Sequence, residues 1–306
     1  MRKSCIGYQC AVVAAVAGLA SGASLAQPFN VAIVAAASAG CNFTDPQAKL
    51  QGSGLFNIVD VIDVALGTPS LATLQQYDAV ICWTNSTPQD TNAWGDVLAD
   101  YVDAGGGVVV AVFANSTVTA NRDIGGRWRN NPAYEVIVPR TGNISTASGL
   151  GTIHDPSHPI MAGVSNFTCS TCFRMNGTGL HPGATLIASW ADGRPLVVVG
   201  SNPKRVDIGF YPPSSDCVAA YWSPAGHGDE MMAQAVAFAA GGGGGCYADC
   251  DTSTGVGVLD IFDFLCFGNR FAANDPYACD CDTTTGPGVC DIFDFLCFGN
   301  EFNAGC

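Results

Sequence analysis

The segment from Asp78 to Ala114 decides the fold of the larger part of this chain. It reads DAVICW at 78–83, DTNAWGDVLADYVDA at 90–104 and, after three glycines, VVVAVFA at 108–114. The first and last pieces are short apolar runs, which are typical of buried parallel strands. The middle piece carries apolar residues at spacings of three and four, so it predicts an amphipathic helix that ends at the glycines. Strand, helix and strand in this order predict a parallel pair of strands covered by a helix.

The same alternation continues on both sides of this segment. The further predicted elements are strands at 30–36, 57–63, 185–190, 195–200 and 206–211, and helices at 70–77 and 227–240. Thr44 and Pro46 predict one more helix, which Thr44 caps and Pro46 opens. We therefore expect residues 28–240 to form one α/β domain, with a mainly parallel sheet and helices on both faces.

Composition and charge exclude several classes of protein. The 306 residues include 12 basic and 26 acidic side chains, a formal charge of −14 that argues against binding to nucleic acid. With 48% hydrophobic and only 12% charged residues, the chain is expected to fold. Its 15 cysteines indicate an oxidising compartment or a metal site.

The amino terminus has the pattern of a secretory signal peptide over residues 1–26. Arg2 and Lys3 precede an apolar stretch at 11–20, and the small residues of Ser-Leu-Ala at 24–26 suit signal peptidase. We expect cleavage before Gln27 and a secreted or cell-surface location. No other apolar run is long enough to span a membrane.

Five glycines at 241–245 predict a flexible linker, and the composition changes after them. Residues 246–306 contain eight cysteines, ten acidic residues and the single basic residue Arg270. The sequence at 249–269 returns 31 residues later at 280–300, and the nine residues IFDFLCFGN are identical in both copies. Such a repeat indicates a duplicated structural unit, and the cysteines indicate a disulfide framework rather than zinc ligands, because the tail has no histidine.

Each copy places oxygen-bearing residues at alternate positions of a loop, which is the arrangement that Ca²⁺ prefers. A helix is predicted after each loop, at 261–271 and 292–302. We therefore predict two calcium sites, one in each repeat. The candidate ligands are Asp249, Asp251, Ser253, Gly255 (through its carbonyl), Asp260 and Asp263 in the first repeat, and Asp280, Asp282, Thr284, Gly286 (through its carbonyl), Asp291 and Asp294 in the second.

This tail resembles the type I dockerin module, and more closely the variant with repeated DIFDFL segments and a terminal Gly-Cys. The resemblance implies an EF-hand-like calcium module that docks to a cohesin-like or other surface receptor. In the family, the loop runs twelve residues from its first Asp to the Asp of FDF, both included, whereas here that span is fifteen. Two assignments of the closing ligand therefore stay open, one with Asp260 and Asp291 and the other with Asp263 and Asp294. The predicted helices carry more apolar residues than one face can bury, so part of this surface is expected to meet a partner.

The large domain resembles the class I glutamine-amidotransferase-like superfamily, particularly its trehalose-utilisation-protein-like branch. The matching residues are YDAVI at 77–81, LADYVDAGGGVV at 98–109, HPI at 158–160 with Gly163, and GHGDE at 226–230 with AVAF at 235–238. The resemblance implies a flavodoxin-like sheet. Active members carry a nucleophilic cysteine on a sharp turn after a strand. The corresponding turn here reads FANS at 113–116, so we predict no amidotransferase catalysis and do not expect Ser116 to replace the cysteine.

Other reactive residues have simpler structural interpretations. Cys82 is predicted to be a buried odd thiol, and the pair Cys169 and Cys172 to be a structural disulfide. Because prolines interrupt the segment, His154 and His158 are interpreted as part of a turn and not as metal ligands. His227, Asp229 and Glu230 are expected to cap the last helix. A final set, Arg122, Arg127, Trp128, Arg129, Tyr134 and Arg140, could bind a sugar or an anion, but surface packing is the favoured interpretation.

Two hypotheses on function follow. The first is a secreted, non-catalytic α/β domain that a calcium-binding dockerin-like tail tethers to a cell surface or an extracellular assembly. The second is a secreted carbohydrate-active hydrolase, with a role in polysaccharide catabolism, that carries the same docking module. The missing nucleophile favours the first hypothesis, and no carboxylate pair with glycosidase geometry is recognisable in the sequence.

Overall fold

The structure is a computed structural model that describes residues 28–116, 121–138, 142–242, 248–251, 259–279, 281–282, 286 and 288–304. The signal peptide predicted at 1–26 and most of the predicted glycine linker therefore lie outside the described residues. Within the described part of the chain, no helix combines the length and the apolar content that a bilayer-spanning segment requires.

The chain alternates strands and helices up to residue 111 and then adds further strands. The strands are β1 (Phe29–Ala35), β2 (Phe56–Asp63), β3 (Ala79–Cys82), β4 (Gly107–Ala111), β5 (Asn143–Ile144), β6 (Ser148–Ile153), β7 (Thr168–Cys169), β8 (Arg174–Met175), β9 (Thr185–Trp190), β10 (Pro195–Val199) and β11 (Arg205–Ile208). The helices are α1 (Cys41–Gly52), α2 (Leu71–Leu74), α3 (Thr91–Asp103), α4 (Gly228–Ala237), α5 (Ile261–Ala272), α6 (Pro276–Cys279) and α7 (Ile292–Ala304).

One sheet organises the large domain, with strand order β2-β1-β3-β4-β11-β10-β9-β6-β7. The five strands from β2 to β11 are parallel, with Val31 opposite Ala79 and Ala79 opposite Gly107. This is the flavodoxin-like order, so the prediction of a parallel sheet is confirmed. Strands β10, β9, β6 and β7 extend the sheet in antiparallel fashion.

Short connections explain the antiparallel extension, which the sequence analysis did not predict. Strands β9 and β10 are joined by a four-residue turn in which Gly193 has a φ of +80°. A turn of this length can only reverse the chain, because a parallel crossover needs a dozen residues or more. The Asp192-Gly193 dipeptide is a hairpin signal in the sequence.

Helices cover both faces of the sheet, as predicted. Alternate residues of β1 point to opposite faces, so that Ile33 lies in the core beneath α1 and α4 while Val34 lies in the core beneath α3. The amphipathic helix α3 buries Trp94, Leu98 and Val102 against the sheet. Because both faces are covered, the central strands are almost entirely apolar.

The start of α1 differs from the prediction. The helix begins at Cys41 rather than after Thr44, so Pro46 lies in its second turn. A disulfide from Cys41 to Cys217 holds this end of the helix, and the Gly40 carbonyl accepts the backbone N–H of Thr44. The Asp45 carboxylate faces inwards, where it accepts the backbone N–H and the hydroxyl of Ser214.

In the tail, α5 and α7 pack against each other through their phenylalanines. The rings of Phe267 and Phe298 stack with centroids 4.1 Å apart, and both side chains are fully buried. Three disulfides in the described residues join Cys250 to Cys266, Cys279 to Cys290 and Cys281 to Cys297. The predicted disulfide framework of the tail is confirmed.

Candidate functional site

The first repeat is organised around the carboxylate of Asp263, which is fully buried. Its Oδ1 accepts the backbone N–H of Asp251 at 2.8 Å, and its Oδ2 accepts the backbone N–H of Asp260 at 2.8 Å. Asp260 is the N-cap of α5, because its own Oδ1 accepts the backbone N–H of Phe262 at 2.7 Å. Asp263 therefore ties the start of the loop to the start of the helix.

The second repeat has the same geometry around Asp294, which is also fully buried. Its Oδ1 accepts the backbone N–H of Asp282 at 3.0 Å, and its Oδ2 accepts that of Asp291 at 2.9 Å. Asp291 accepts the backbone N–H of Phe293 at 2.8 Å. The two candidate closing residues of each repeat thus have different roles, because the earlier one caps the helix and the later one lies inside the unit.

The charges of this site influence Tyr277 of α6. Burial raises the pKa of Tyr277 to about 12 against the lowering effect of Arg270, and the negative charges of Asp263 and Asp249 raise it further. Asp249 and Asp263 therefore both act on the same hydroxyl.

Among the described residues, no lysine or arginine forms an ion pair with Asp263 or Asp294. A buried carboxylate without a basic partner is costly unless another positive group compensates it.

The remaining candidate ligands are described only in part. Ser253, Gly255, Asp280 and Thr284 lie outside the described residues. Gly286 is described and has a φ of +112°, a conformation that favours glycine. Across the described ranges, no three side chains of the His, Cys, Asp and Glu types form a group that could hold a metal ion.

The repeat helices leave an apolar surface uncovered, which we call the repeat face. It consists of four equivalent pairs of large exposed side chains: Ile261 and Ile292, Phe262 and Phe293, Phe264 and Phe295, and Leu265 and Leu296. Exposed apolar side chains of this size and number are typical of a site for protein contact.

In the large domain, the turn after β4 does not form a nucleophile elbow. Residues 112–116 make consecutive turns in which the backbone N–H of Ser116 donates to the carbonyl of Phe113. Ser116 is fully buried, and its hydroxyl donates to Oδ1 of Asn143 at 2.7 Å. This geometry lacks the exposed hydroxyl that an acyl-transfer nucleophile requires.

At the carboxyl ends of β1 and β3, where open α/β sheets bind ligands, side chains of the protein form a hydrogen-bonded network. Asn85 Nδ2 donates to the hydroxyl of Tyr211 at 2.7 Å and to Oδ1 of Asn42 at 3.3 Å. Asn85 Oδ1 accepts the backbone N–H of Ser38 at 3.2 Å. These contacts connect the segments that follow β1, β3 and β11.

Beside this network lies an aromatic group that the sequence analysis missed, and we call it the aromatic edge. It contains Phe113, Phe173, Tyr211 and Tyr221, with neighbouring ring centroids 5.1 to 6.1 Å apart. The guanidinium of Arg122 lies 5.9 Å from the ring of Phe113. The residues come from four separate segments, so no local pattern links them. Phe173, Tyr221 and Arg122 remain half-exposed.

The cysteines of the large domain are arranged as predicted. Cys82 is the free cysteine of the described residues and is completely buried, which raises the pKa of its thiol. Cys169 and Cys172 form a disulfide. Neither arrangement offers a reactive thiolate.

The histidines of the large domain serve local structure. His158 Nδ1 accepts the backbone N–H of Ile160 at 3.2 Å, and its ring packs on Phe238, while His154 is exposed. His227 is the N-cap residue of α4, and its carbonyl accepts the backbone N–H of Met231. Its side chain does not cap the helix, because Nδ1 accepts the backbone N–H groups of Ser165 and Asn166. Asp229 and Glu230 do lie in the first turn of α4.

Two arginines of the arginine-rich loop form ion pairs within the large domain. Arg127 pairs with Asp100 and Asp103, and Arg129 pairs with Asp123. Trp128 is buried beneath the guanidinium of Arg205, which lies 4.3 Å from its ring centroid. Arg140 lies outside the described residues. Only Arg122 of this set lies at the aromatic edge.

No protein-family model matches the chain, and no curated protein matches it. Among solved structures, the chain is similar to a protein described as ThuA-like from Bacteroides uniformis, with 14% identity, a TM-score of 0.49 and coverage of 71% of this chain and 94% of that one. A GMP synthase subunit from Thermoplasma acidophilum gives 11% identity and a TM-score of 0.44 over 69% of this chain and 94% of that one. The glutaminase domain of Trypanosoma brucei CTPS with bound acivicin gives 12% identity and a TM-score of 0.37 over 68% and 94%. The fold assignment rests on the strand order of the sheet.

Proposed function

We propose that this chain is a secreted protein whose α/β domain is non-catalytic and whose dockerin-like tail, stabilised by calcium, attaches it to a cell-surface or extracellular receptor. One observation carries the proposal. Each repeat buries one carboxylate, Asp263 or Asp294, and this carboxylate ties the start of an acidic loop to the start of a helix. The identical arrangement in both copies is expected of a duplicated cation-binding unit.

The chemistry of the donor set fits calcium. The tail supplies carboxylate and carbonyl oxygens, the ligands that Ca²⁺ prefers, and ten acidic residues against one arginine. We assign the cation in the first repeat to Asp249, Asp251, Ser253, the carbonyl of Gly255 and Asp263. In the second repeat, we assign the cation to Asp280, Asp282, Thr284, the carbonyl of Gly286 and Asp294. Bound calcium supplies positive charge that offsets the repulsion between these carboxylates. The capping of α5 and α7 by Asp260 and Asp291 favours the later aspartate of each repeat as the closing ligand.

The non-catalytic part of the proposal is supported by the residues that stand where a nucleophile would be needed. Ser116 is buried and bonded to Asn143, and Cys82 is buried within the sheet. The crevice between β1 and β3 holds the network of Asn42, Asn85 and Tyr211.

Calorimetric titration of the full chain with calcium tests the proposal. We expect two bound ions per chain, and loss of both in the double variant Asp263→Asn with Asp294→Asn. The matched control is Asp100→Asn with Asp103→Asn, which removes the same charge from the large domain and should still bind two ions. No bound calcium at millimolar concentration would overturn the metal site. Unchanged stoichiometry in the tail variant would overturn the ligand assignment.

The aromatic edge supports a second candidate function, carbohydrate binding by the large domain. The half-exposed rings of Phe173 and Tyr221 offer apolar faces, and Arg122, whose guanidinium lies against Phe113 of the same group, offers a hydrogen-bond donor. Such a combination suits a sugar ring. If the large domain binds carbohydrate, the tail positions either a carbohydrate-binding domain or a carbohydrate-active hydrolase at the receptor. Release of reducing sugar from a bound polysaccharide would distinguish the hydrolase from the binding domain.

A further inference from the structure

The two repeat helices differ at one charged position. Their first nine residues are identical, and the next residue is Arg270 in α5 but Glu301 in α7. The apolar side chains before this position are equally exposed in both helices, with 55% for Leu265 and 57% for Leu296. The repeat face is therefore symmetric in its apolar residues and asymmetric in charge.

Arg270 makes contacts within the tail. Its guanidinium lies 4.9 Å from the ring centroid of Tyr277, and its Nη1 is 3.9 Å from Oδ2 of Asp275. The single basic side chain of residues 246–306 thus lies at the first repeat.

Glu301 instead lines an open groove of about 360 Å³ on the second repeat. Phe293 and Leu296 form its apolar wall, while Asp282, Asn300 and Glu301 supply polar atoms. The groove thus places the carboxylate of Glu301 next to two exposed apolar side chains, and we call it the acidic groove.

We propose that the acidic groove is the primary contact of the docking tail and binds a receptor that presents an apolar side chain next to a lysine or arginine. This inference rests on the docking function proposed above and names the chemistry of the partner. The apolar side chain covers Phe293 and Leu296, and the cation meets Glu301. Charge complementarity of this kind fixes the orientation of a complex and suppresses the wrong one.

The same charge difference selects one repeat over the other. A receptor with a cation beside its apolar side chain meets Arg270 if it approaches the first helix, and like charges repel. A second copy of this chain is a poor occupant, because the tail carries ten acidic residues and its one arginine already contacts Tyr277 and Asp275.

Three labelled peptides of equal length and spacing serve as probes for the full chain: one with leucine and lysine, one with leucine and glutamate, and one with serine and lysine. Fluorescence anisotropy should show binding of the leucine–lysine peptide that is about tenfold or more tighter than that of either other peptide. Glu301→Gln should reduce this preference about threefold or more, whereas Glu230→Gln, which removes the same charge from the large domain, should leave it unchanged.

The apolar contact of the proposed complex is tested by substituting two equally exposed leucines, one in each repeat helix. Leu296→Ser should weaken binding of the leucine–lysine peptide, and Leu265→Ser on the first helix should not. Equal effects of the two leucine variants, or of Glu301→Gln and Glu230→Gln, would overturn the inference. So would a dimer in sedimentation velocity that Leu296→Ser dissociates, because the occupant would then be a second copy.

Calcium titration of the same samples separates the two proposals. If two ions bind but the peptides are not distinguished, the acidic groove is refuted and the calcium module stands. If no ion binds, the calcium module fails whatever the peptides show.

Discussion

The Oδ1 atom of Asp263 accepts the backbone N–H of Asp251 at 2.8 Å, across twelve positions of the chain. The second repeat reproduces this contact between Asp294 and Asp282 at 3.0 Å. In each repeat a disulfide reinforces the same connection, since Cys250 is joined to Cys266 and Cys281 to Cys297. In each repeat, one carboxylate and one disulfide therefore join the same two segments.

The first prediction concerns the two acidic residues at the start of α5. Asp263→Ala should lower the opening free energy of α5 by about 2–4 kcal/mol, because it leaves two buried backbone N–H groups without an acceptor. Asp260→Ala removes an N-cap and should cost about 1 kcal/mol. Hydrogen exchange of the α5 amides measures both values. A larger effect of Asp260→Ala would contradict the roles assigned here.

The second prediction concerns calcium removal. Chelation should increase hydrogen exchange in α5 and α7 without unfolding the oxidised tail, because the disulfides still restrict the chain. Chelation together with reduction should unfold it. All five tryptophans lie between residues 83 and 222, so tryptophan fluorescence should not respond to chelation alone. Complete loss of protection on chelation of the oxidised protein would show that the disulfides do not hold the loops.

The third prediction concerns the pH dependence of stability. Burial raises the pKa of Glu135 from 4.5 to about 8, with the backbone of Asn130 and Arg129 lowering it and Asp207 and Asp123 raising it. The folded state thus retains a proton that the unfolded chain has released. The stabilisation is complete below about pH 4.5 and is lost as the pH rises through about 8.

Glu135→Gln should therefore flatten the fall in unfolding free energy between about pH 5 and about pH 8, measured by urea unfolding with tryptophan fluorescence. The Nε2 atom of His181 lies 3.1 Å from Glu135 Oε2, and burial lowers the pKa of His181, so this neighbour acts in the opposite direction at acid pH. Glu301→Gln in the tail is the control. Parallel pH profiles for Glu135→Gln and the wild-type protein would contradict the prediction.

The fourth prediction compares two disulfides of the large domain. The Cys41–Cys217 bond closes a loop with a sequence separation of 176, and the Cys169–Cys172 bond one with a separation of 3. Loop-closure entropy then predicts how much each disulfide contributes to the free energy of unfolding. Cys41→Ser with Cys217→Ser should lower this free energy by about 5 kcal/mol, and Cys169→Ser with Cys172→Ser should lower it by about 2 kcal/mol. Urea unfolding of the two double variants measures the difference, and a reversed order would refute the entropic account.

The fifth prediction concerns the aromatic edge. If the large domain binds carbohydrate, Tyr221→Ala and Arg122→Ala should each abolish retention on insoluble polysaccharides such as cellulose or chitin. Tyr77→Ala, which removes a tyrosine far along the chain from this edge, should not. Retention of both edge variants at the wild-type level would reject the site.

Local patterns of the sequence were enough to predict the framework of the protein. The apolar run at 108–114 and the helix period at 90–104 predicted β4 and α3, because burial imposes a period on a strand or a helix that is visible within a few residues. The repeat at 249–269 and 280–300 was likewise visible without a structure. An odd number of cysteines in the large domain pointed to Cys82 as the free thiol.

The tertiary structure decided what depends on residues far apart in the chain. The aromatic edge joins Phe113, Phe173 and Tyr211. In the tail, each disulfide pairing was one of many that the cysteine count allowed. The sequence left Asp260 and Asp263 equivalent, and only the folded tail made one a helix cap and the other a buried acceptor. The physical reason is that the periodicity of a sequence shows which residues are buried but not which residues they contact. Those contacts depend on how the connecting loops bring distant segments of the chain together.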